Sequence, residues 1–493
     1  MESTLYPLLL IPLIGILIII PMRFDTQESI IKGKQIALFT SIVALLESIR
    51  LWIGFDTSTS EFQYVINFDW IGMFDIGMTL GVDGISIFYI LLTTLLIPIC
   101  LLASWDSIKY LDKEYLICFL SIEFLLIGVF TILDVLGFYI LFEGILIPMY
   151  LVIGVWGARK EKITAAYYFF FYTLVGSVLM LISIMYLYKE YGTTDYQTLL
   201  TAPRLPAGMV QNLVFLAFFA SFAVKIPKFP FHIWLPLAHV EAPVAGSVLL
   251  AGILIKLGSY GFIRYSLPLL PDASIYFTPL IFTLGTLAVI YASLTTLRQT
   301  DLKRIIAYSS VSHMGVVMLS IFTLTVTGLE GSIFLQIAHG LVSSALFIVV
   351  TVLYDRHHTR TVKYYRGVTL TMPIYSFIFL FFTLGNIAVP GSCNFIGEFI
   401  SLIATFESNM WIAVLASTGM VLSACYALFL YNRVCMGTMS KYIEHSTENR
   451  DVNRREFYVL FPLMFLTLYL GVYPDIILDA IHPSVMHVLS YIK

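Results

Sequence analysis

Charged residues are scarce in this chain. Only 12% of its 493 residues are Asp, Glu, Lys or Arg, and 59% are hydrophobic, whereas a soluble domain carries about 25% charged residues. So little charge cannot cover a globule of this size in water, and an ordinary soluble fold is therefore excluded. The net charge of −3 also gives no reason to expect a nucleic-acid partner.

Cofactor and metal motifs are missing as well. The sequence has no GxGxxG after a strand, no P-loop and no CxxC pair, so we expect no site for NADH, flavin, haem, an iron–sulfur cluster or a metal in this chain. Scattered through apolar segments, the cysteines are predicted to be small buried hydrophobic residues; they are Cys100, Cys118, Cys393, Cys425 and Cys435.

What the chain does contain is a series of apolar runs about 20 residues long, the length that a helix needs to cross a bilayer. They predict an all-α integral membrane fold with about fourteen transmembrane helices. The first run lacks the basic start and cleavage site of a signal peptide, so we expect it to be a spanning helix. The predicted spans are 5–21, 35–55, 85–104, 113–131, 133–153, 163–188, 210–235, 243–263, 275–297, 303–321, 328–353, 371–404, 409–435 and 456–475.

The distribution of basic residues agrees with this count. Of the 28 Lys and Arg residues, 20 fall in loops that follow odd-numbered spans, 5 fall on the opposite side and 3 lie inside spans. Because basic loops stay on the cytoplasmic or matrix side, we expect both termini to face away from it.

Ionisable residues inside the spans are the candidates for function, since an intramembrane charge costs about 2.5–3.5 kcal/mol on insertion scales. Loss of hydration disfavours the charged form of both carboxylates and lysines, so each type can exchange protons near neutral pH. Histidine is suited to passing protons on. The predicted row of proton-exchanging groups is Glu143, Lys225, Lys256, His313, His339 and Glu398, with Glu123 and His239 as weaker candidates.

Two predicted spans contain helix breaks. Pro227 and Pro230 interrupt the seventh, and Pro390 with Gly391 interrupts the twelfth; transporters use such breaks at ion sites in corresponding positions of two repeats. The segments FAVKIP (222–227) and IAVPG (387–391) favour two inverted five-helix repeats with discontinuous helices 7 and 12. We therefore predict one polytopic domain with helices 1–3 in 1–112, repeats in 113–263 and 275–435, and helix 14 with a tail in 456–493.

Structural interpretations remain open for the same residues. Any of the intramembrane Glu or Lys residues could form an ion pair that stabilises the fold and has no role in transport. A histidine inside a helix often does no more than form a hydrogen bond with a neighbouring residue. Near the end of the broken seventh span, His232 and His239 fit an interfacial structural role equally well. We expect the Lys228 side chain to extend towards the membrane interface.

The segment FASFAVKIPKFPFHIWLPLAHVEAPVAGSVLLAGILIKLGSYGFIR (219–264) resembles the proton-translocating signature of the antiporter-like subunits of respiratory complex I and of Mrp-type antiporters. LGVDGIS (80–86), FYILFEGILIPMYLVIGVWG (138–157) and RQTDLKRIIAYSSVSHMG (298–315) are also similar, so the resemblance covers nearly the whole chain. YDRHHTR (354–360) is most similar to the mitochondrial chain 4 subfamily.

This resemblance implies a proton-pumping subunit of the mitochondrial inner membrane that depends on NADH oxidation and ubiquinone reduction in other subunits and has no redox centre of its own. It implies Glu143 and Lys225 as a coupling pair, Lys256, His313 and His339 as a relay, and Glu398 as the exit group. The implied partners are neighbouring antiporter-like subunits, the lateral helix of chain 5 and lipids such as cardiolipin. A stand-alone cation/proton antiporter and a non-conducting scaffold remain as alternatives.

Overall fold

Apolar helices make up most of the molecule, because a backbone in hydrocarbon has to satisfy its own hydrogen bonds. A computed structural model describes residues 5–71, 76–444 and 450–492. In these ranges the helices before Pro227 are α1 (Leu5–Ile19), α2 (Gln27–Ile53), α3 (Ser86–Ala103), α4 (Asp112–Thr131), α5 (Val135–Gly144), α6 (Leu146–Trp156), α7 (Lys162–Tyr191), α8 (Tyr196–Thr201) and α9 (Met209–Lys225). The helices that follow are α10 (Trp234–Glu241), α11 (Val244–Leu249), α12 (Lys256–Gly261), α13 (Leu267–Leu269), α14 (Pro271–Leu297), α15 (Leu302–Ile321), α16 (Val326–His357), α17 (Pro373–Asn386), α18 (Cys393–Ser408), α19 (Met410–Cys435), α20 (Lys441–Glu444), α21 (Arg454–Val472) and α22 (Asp475–Ser490).

Within the described ranges, eleven helical segments are long and apolar enough to cross a membrane, judged by length and composition. Three shorter apolar helices, α1, α9 and α17, coincide with the first, seventh and twelfth predicted spans. The predicted helical membrane architecture is thereby confirmed in outline. Fourteen spans and two inverted repeats stay predictions.

A β-hairpin departs from the all-α prediction. Strands β1 (Gln63–Ile71) and β2 (Ile76–Val82) pair antiparallel within the segment 56–84, which lies between the second and third predicted spans. Ile66 lies opposite Leu80, and both side chains are buried. In a strand, alternate side chains point to the same face, but here that alternation extends over only a few positions. Apolar runs of helical length dominate the sequence around it, so the sequence did not predict the hairpin. The hairpin joins the bundle where the Leu133 N–H donates to the Thr79 carbonyl at 2.8 Å.

A further helix, α22, lies beyond the last predicted span. Its buried residues Ile477, Ile481, Ser484, Val485 and Val488 recur at helical spacing and form one face. That face packs against α16 and α13. The segment 437–455, between the last two predicted spans, contains the short helix α20, and its residues 445–449 lie outside the described ranges.

Both predicted helix breaks are present. α9 ends at Lys225, just before Pro227, and the next helix begins only at Trp234. The Trp234 Nε1–H donates to the carbonyl of Val224 at 2.9 Å and so satisfies a group that the break frees. The second break separates α17 from α18, where Ala388 and Gly391 have φ values of 63° and 95°. A proline lacks an N–H, which explains why neither helix continues.

Burial divides the helices into inner and outer ones. α16 and the continuous helical segment 244–269 are buried along their apolar length, whereas α2, α19 and α21 expose large apolar side chains such as Phe39, Trp411 and Tyr458. Apolar side chains facing outwards are expected where lipid is the solvent. Polar residues on α16 and 244–269 are therefore held away from both lipid and water.

Candidate functional site

Four of the predicted residues form a continuous row of contacts. The Lys256 Nζ lies 2.9 Å from His339 Nδ1. The ring centroids of His339 and His313 are 5.5 Å apart, and His313 Nδ1 lies 2.6 Å from Glu398 Oε1. All four side chains are at most 4% exposed. The fold thus brings together single residues of α12, α16, α15 and α18.

The backbone around Lys256 helps to hold its side chain. Residues Leu250–Leu254 form a π-helical turn, and the Ile255 N–H donates to the Leu250 carbonyl, five residues earlier. Such turns are rare and are often found at functional sites. The Lys256 ammonium donates to the Ala251 carbonyl at the edge of this turn, which orients the side chain towards α16.

The contacts fix donor and acceptor roles. A charged ammonium only donates, so His339 Nδ1 has to accept while Lys256 carries its proton. In the next pair, a protonated His313 Nδ1 donates to the Glu398 carboxylate, and such charge-assisted hydrogen bonds are about twice as strong as neutral ones. Because neither His313 Nε2 nor His339 Nε2 has a hydrogen-bond partner among the described residues, each histidine keeps one nitrogen available for a proton. The arrangement can therefore pass protons between a lysine and a carboxylate.

Glu143 and Lys225 lie apart from this row. Glu143 occupies the last turn of α5 and Lys225 the last residue of α9. The Lys225 Nζ lies 4.5 Å from the Phe142 ring centroid, and the two charges interact electrostatically. Among the described ion pairs none joins Glu143 to Lys225 within 4 Å. The structure therefore holds the two groups as neighbours rather than as a closed ion pair.

The side chains of the two weaker candidates are buried and form no hydrogen bonds among the described residues. Glu123 in α4 is fully buried, and neither of its carboxylate oxygens has a hydrogen-bond partner in the described part of the chain. The His239 ring stacks on Phe347 with centroids 4.8 Å apart, and neither of its ring nitrogens is bonded among the described residues. Neither residue contacts the Lys256–Glu398 row through a hydrogen bond that the structure records.

The sequence did not predict the burial of several polar residues. Lys303 and Arg264 are assigned to loops from their sequence positions, yet both are at most 3% exposed. Arg264 Nη2 lies 2.6 Å from Asp83 Oδ1, and the Lys303 Nζ donates to the Ala242 carbonyl at 2.9 Å. Gln336 lies three residues before His339 on α16; it is uncharged and so gave no signal beyond being polar within an apolar run.

The expectation for Lys228 is wrong. Its side chain is 1% exposed and does not extend to the interface, and its Nζ has no hydrogen-bond partner among the described residues. The Lys228 N–H donates to the Ala223 carbonyl, five residues earlier, at 3.3 Å, so the chain adds one wide turn to the end of α9 before the break. Local sequence does not show that this lysine is buried.

The described ranges contain no cluster of three or more His, Cys, Asp or Glu residues that could hold a metal ion. Four of the five cysteines are buried as predicted, whereas Cys425 is exposed on α19. Since α19 is an outer helix, that side chain lies at the surface of the chain rather than in its core.

Comparison with known proteins identifies the family. Residues 133–423 match the model described as NADH:quinone oxidoreductase/Mrp antiporter, TM. The chain is 55% identical to NADH-ubiquinone oxidoreductase chain 4 of Metridium senile, covering 94% of each chain, and 53% identical to the protein of the same name from Chondrus crispus, covering 98% of this chain and 97% of that one. A chain of respiratory complex I from Thermus thermophilus superposes with a TM-score of 0.87 at 26% identity, covering 99% of this chain and 100% of that one. The resemblance found in the sequence is confirmed: this chain belongs to the NADH:quinone oxidoreductase/Mrp antiporter family, within its chain 4 group.

Proposed function

We propose that this chain translocates protons as a membrane-arm subunit of mitochondrial respiratory complex I. The observation that carries the proposal is the buried row Lys256–His339–His313–Glu398, in which every group can bind and release a proton. NADH oxidation and ubiquinone reduction take place in other subunits and drive the movement, so this chain is part of an oxidoreductase without holding a redox cofactor. The names of its relatives, which are subunits of NADH-ubiquinone oxidoreductase, support this reading.

The proposed architecture has fourteen spans with two inverted five-helix repeats. Support comes from the positions of the two breaks. The first follows Lys225, 82 residues after Glu143, and the second precedes Glu398, 85 residues after His313. Broken helices at corresponding positions of two repeats are typical of transporters. In this arrangement the discontinuous helices are the seventh span, formed by α9 and α10, and the twelfth span, formed by α17 and α18. Each of them presents an ionisable residue near its break.

Within the proposed mechanism, Glu143 and Lys225 are the coupling pair. A lysine holds its proton more firmly when a carboxylate approaches and releases it more readily when the carboxylate moves away. Their present separation, beyond an ion pair and over the Phe142 ring, suits a pair that opens and closes. Lys256, His339 and His313 then relay the proton, and Glu398 is the exit group. We propose Glu123 and His239 as additional proton-exchanging residues.

The proposed setting is the mitochondrial inner membrane, with both termini on the intermembrane-space side. The partners are neighbouring antiporter-like subunits, the lateral helix of chain 5 and lipids such as cardiolipin. The outer helices expose apolar side chains that fit either lipid or the helices of such neighbours.

The test is Lys225→Ala in the intact complex, with assembly verified on a native gel and NADH:ubiquinone activity measured together with proton pumping. We expect both to fall severely, since a general acid–base group contributes about 10²–10⁴ in rate. Lys225→Arg should be impaired as well, because arginine keeps the charge but does not release its proton in proteins. The matched control is Lys189→Ala, at the exposed end of α7.

The outcomes separate the competing functions. Wild-type pumping by an assembled Lys225→Ala complex would favour the scaffold interpretation, in which the buried lysine is structural. Sodium-dependent proton exchange by the isolated chain, without any larger assembly on the native gel, would favour a stand-alone antiporter.

A further inference from the structure

An open groove runs along the outside of the hairpin that α1 and α2 form. Its volume is about 590 Å³, and one side of each helix lines it. Ile14 and Ile18 lie on its α1 side, and Ile36 and Phe39 lie on its α2 side. Of these, Ile14, Ile18 and Phe39 are 50%, 44% and 68% exposed. The groove is therefore accessible from outside the chain, and its volume is within the range of about 300–1,000 Å³ that is typical of ligand sites.

The middle of the groove is apolar. The two helices approach closely there, because a Cβ on Gly15 would lie 2.9 Å from Thr40 Oγ1. Thr40 lines the groove, but its hydroxyl donates to the Ala37 carbonyl of its own helix at 2.9 Å. The helical backbone on both sides satisfies its own hydrogen bonds. A ligand in the middle of the groove would thus find apolar contacts.

Polar side chains line the groove at one end. Lys32 and Gln35 lie one turn apart on α2 and line the groove together with Met22, next to the turn that joins the two helices. Both side chains are exposed. Within the described ranges neither of them forms an ion pair or a hydrogen bond. The ammonium and the amide therefore keep their donors for a ligand.

The charge of Lys32 is not neutralised by its neighbours. Two residues further along α2, Lys34 already pairs with Asp112 at 2.8 Å. The acidic residues closest in sequence are Asp25 and Glu28, which are exposed, and no ion pair within 4 Å joins either of them to Lys32 among the described residues. This end of the groove therefore offers a cation to an anionic group.

The length of the groove matches the depth of one membrane leaflet. On α2 its lining extends from Lys32 to Val43, which is about 16 Å at a rise of about 1.5 Å per residue. The hydrocarbon core of a bilayer is about 30 Å thick. A molecule whose charged group lies at Lys32 would thus reach the middle of the bilayer at the far end of the groove.

A phospholipid with a negative head group has this order of groups, an anionic phosphate followed by an acyl chain. An apolar helix of a neighbouring subunit would leave the Lys32 ammonium without a partner, and a polar ligand would gain nothing from the isoleucine side chains. Basic pockets between transmembrane helices on the matrix side bind anionic lipid head groups. Arg23 and Lys32 are among the basic residues that are predicted to face that side.

We infer that the groove between α1 and α2 binds an anionic phospholipid of the matrix leaflet. Its phosphate lies at Lys32 and Gln35, and one acyl chain follows Ile18, Ile14 and Phe39 towards the middle of the bilayer. The inference names a site for the lipid partner of the proposed function and rests on the proposed inner-membrane setting. It does not depend on the proton row.

The experiment uses the intact complex, purified and reconstituted into phosphatidylcholine vesicles that contain a photoactivatable lipid. One set of vesicles holds phosphatidylglycerol and the other phosphatidylcholine, each at the same fraction and with the same diazirine-bearing acyl chain. After illumination, mass spectrometry measures the lipid attached to the peptides that contain Ile14, Ile18 and Phe39. We expect about fivefold more attachment of the anionic lipid, because one basic residue near the membrane surface contributes about 1 kcal/mol and 1.4 kcal/mol corresponds to a factor of ten.

Variants of Lys32 show whether this preference comes from the groove. Lys32→Ala should lower the ratio of anionic to zwitterionic attachment to about one, and Lys32→Arg should keep it because arginine retains the charge. The matched control is Lys160→Ala, which removes an exposed lysine that is predicted to face the same side but lies outside the groove. Its ratio should equal that of the wild type.

Three results would overturn the lipid site. They are equal attachment of both lipids to the wild-type groove, a preference that Lys32→Ala leaves unchanged, and no attachment of either lipid, which would mean that another subunit covers the groove. Lys225→Ala, measured for pumping in parallel, keeps the proposed function apart. Wild-type pumping by that variant would overturn the proton relay without changing the lipid ratio, whereas severely reduced pumping would leave the proposed function intact even if the lipid site fails.

Discussion

The shortest contact of the row joins His313 to Glu398 at 2.6 Å. The carboxylate belongs to α18, directly after the second helix break, and the imidazole to the middle of α15. Hydrogen bonds between an ionised donor and acceptor are worth about 1.5–3 kcal/mol. The contact is therefore strong when His313 holds the proton and Glu398 is ionised, and weaker when both groups are neutral. A proton relay requires contacts whose strength changes in this way with the position of the proton.

Replacing Glu398 by Gln keeps the shape of the side chain and removes its proton affinity. We expect proton pumping by the assembled complex to fall at least about tenfold, because a loss of 1.4 kcal/mol corresponds to a factor of ten. Vesicle pumping assays measure this directly. Glu407→Gln, at the exposed end of the same helix, should pump normally; equal activity of the two variants would remove Glu398 from the relay.

Residue types inside apolar runs were enough to predict Lys256, His313, His339 and Glu398, which the structure brings into one row. The same reasoning could not find Arg264 or Lys303. Each lies near the end of an apolar run, where sequence allows either exposure or burial. Their burial depends on segments that are distant in sequence. Arg264 pairs with Asp83, and the next residue, Gly84, is hydrogen-bonded to α22. Lys303 donates to the carbonyl of Ala242, between α10 and α11.

At the scale of elements, the position of Glu398 depends on how closely α18 approaches α16. A Cβ on Gly397 would lie 2.7 Å from the Leu335 Cα, and one on Gly331 would lie 3.0 Å from the Ser401 backbone nitrogen. Small residues at such positions let two membrane helices pack backbone to backbone. Glu398 directly follows one of these glycines, so its distance from His313 is fixed by this close packing.

Gly397→Ala should therefore destabilise the complex. Overpacking of a tight interface costs about 1–3 kcal/mol, and α18 can relieve it only by moving away from α16 and with it Glu398 from His313. The measurement is the temperature at which the purified complex loses NADH:ubiquinone activity. Gly385→Ala is the control, because its Cβ would meet only the Val342 side chain at 3.5 Å; a similar loss in both variants would contradict the explanation.

The helix breaks were predictable because Pro227, Pro230 and Pro390 act through local chemistry. The π-helical turn before Lys256 and the hairpin β1–β2 were not. No residue type marks a π-helical turn in a sequence. Here the turn lies where Gly252 packs against Leu96 and Ser344 of other helices. Such features depend on tertiary contacts, which a single sequence does not contain.

For the whole molecule, the distribution of basic residues predicts which side each loop faces. Ser58, in the segment 56–84, and Lys160, between α6 and α7, are both exposed and are assigned to opposite sides.

Single cysteines at these two positions test the orientation. In a Cys425→Ser background, which removes the exposed native thiol, we expect Ser58→Cys to react with a membrane-impermeant thiol reagent from the intermembrane-space side. Lys160→Cys should react only after the inner membrane is permeabilised. The opposite pattern would reverse the proposed orientation, and labelling of both from one side would contradict the span count.

If protons pass along the row as proposed, the positions of Lys256, His339 and His313 also determine where the membrane voltage can act. Each of Lys256, His313 and His339 lies near the middle of the helical segment that carries it, so a proton passing between them stays at nearly one depth. A charge gains or loses about 2.3 kcal/mol per 100 mV only when it moves through the field. In the proposed relay, the steps between Lys256, His339 and His313 are thus almost independent of voltage, and the electrical work of pumping falls on the steps that enter the row from one face and leave it to the other.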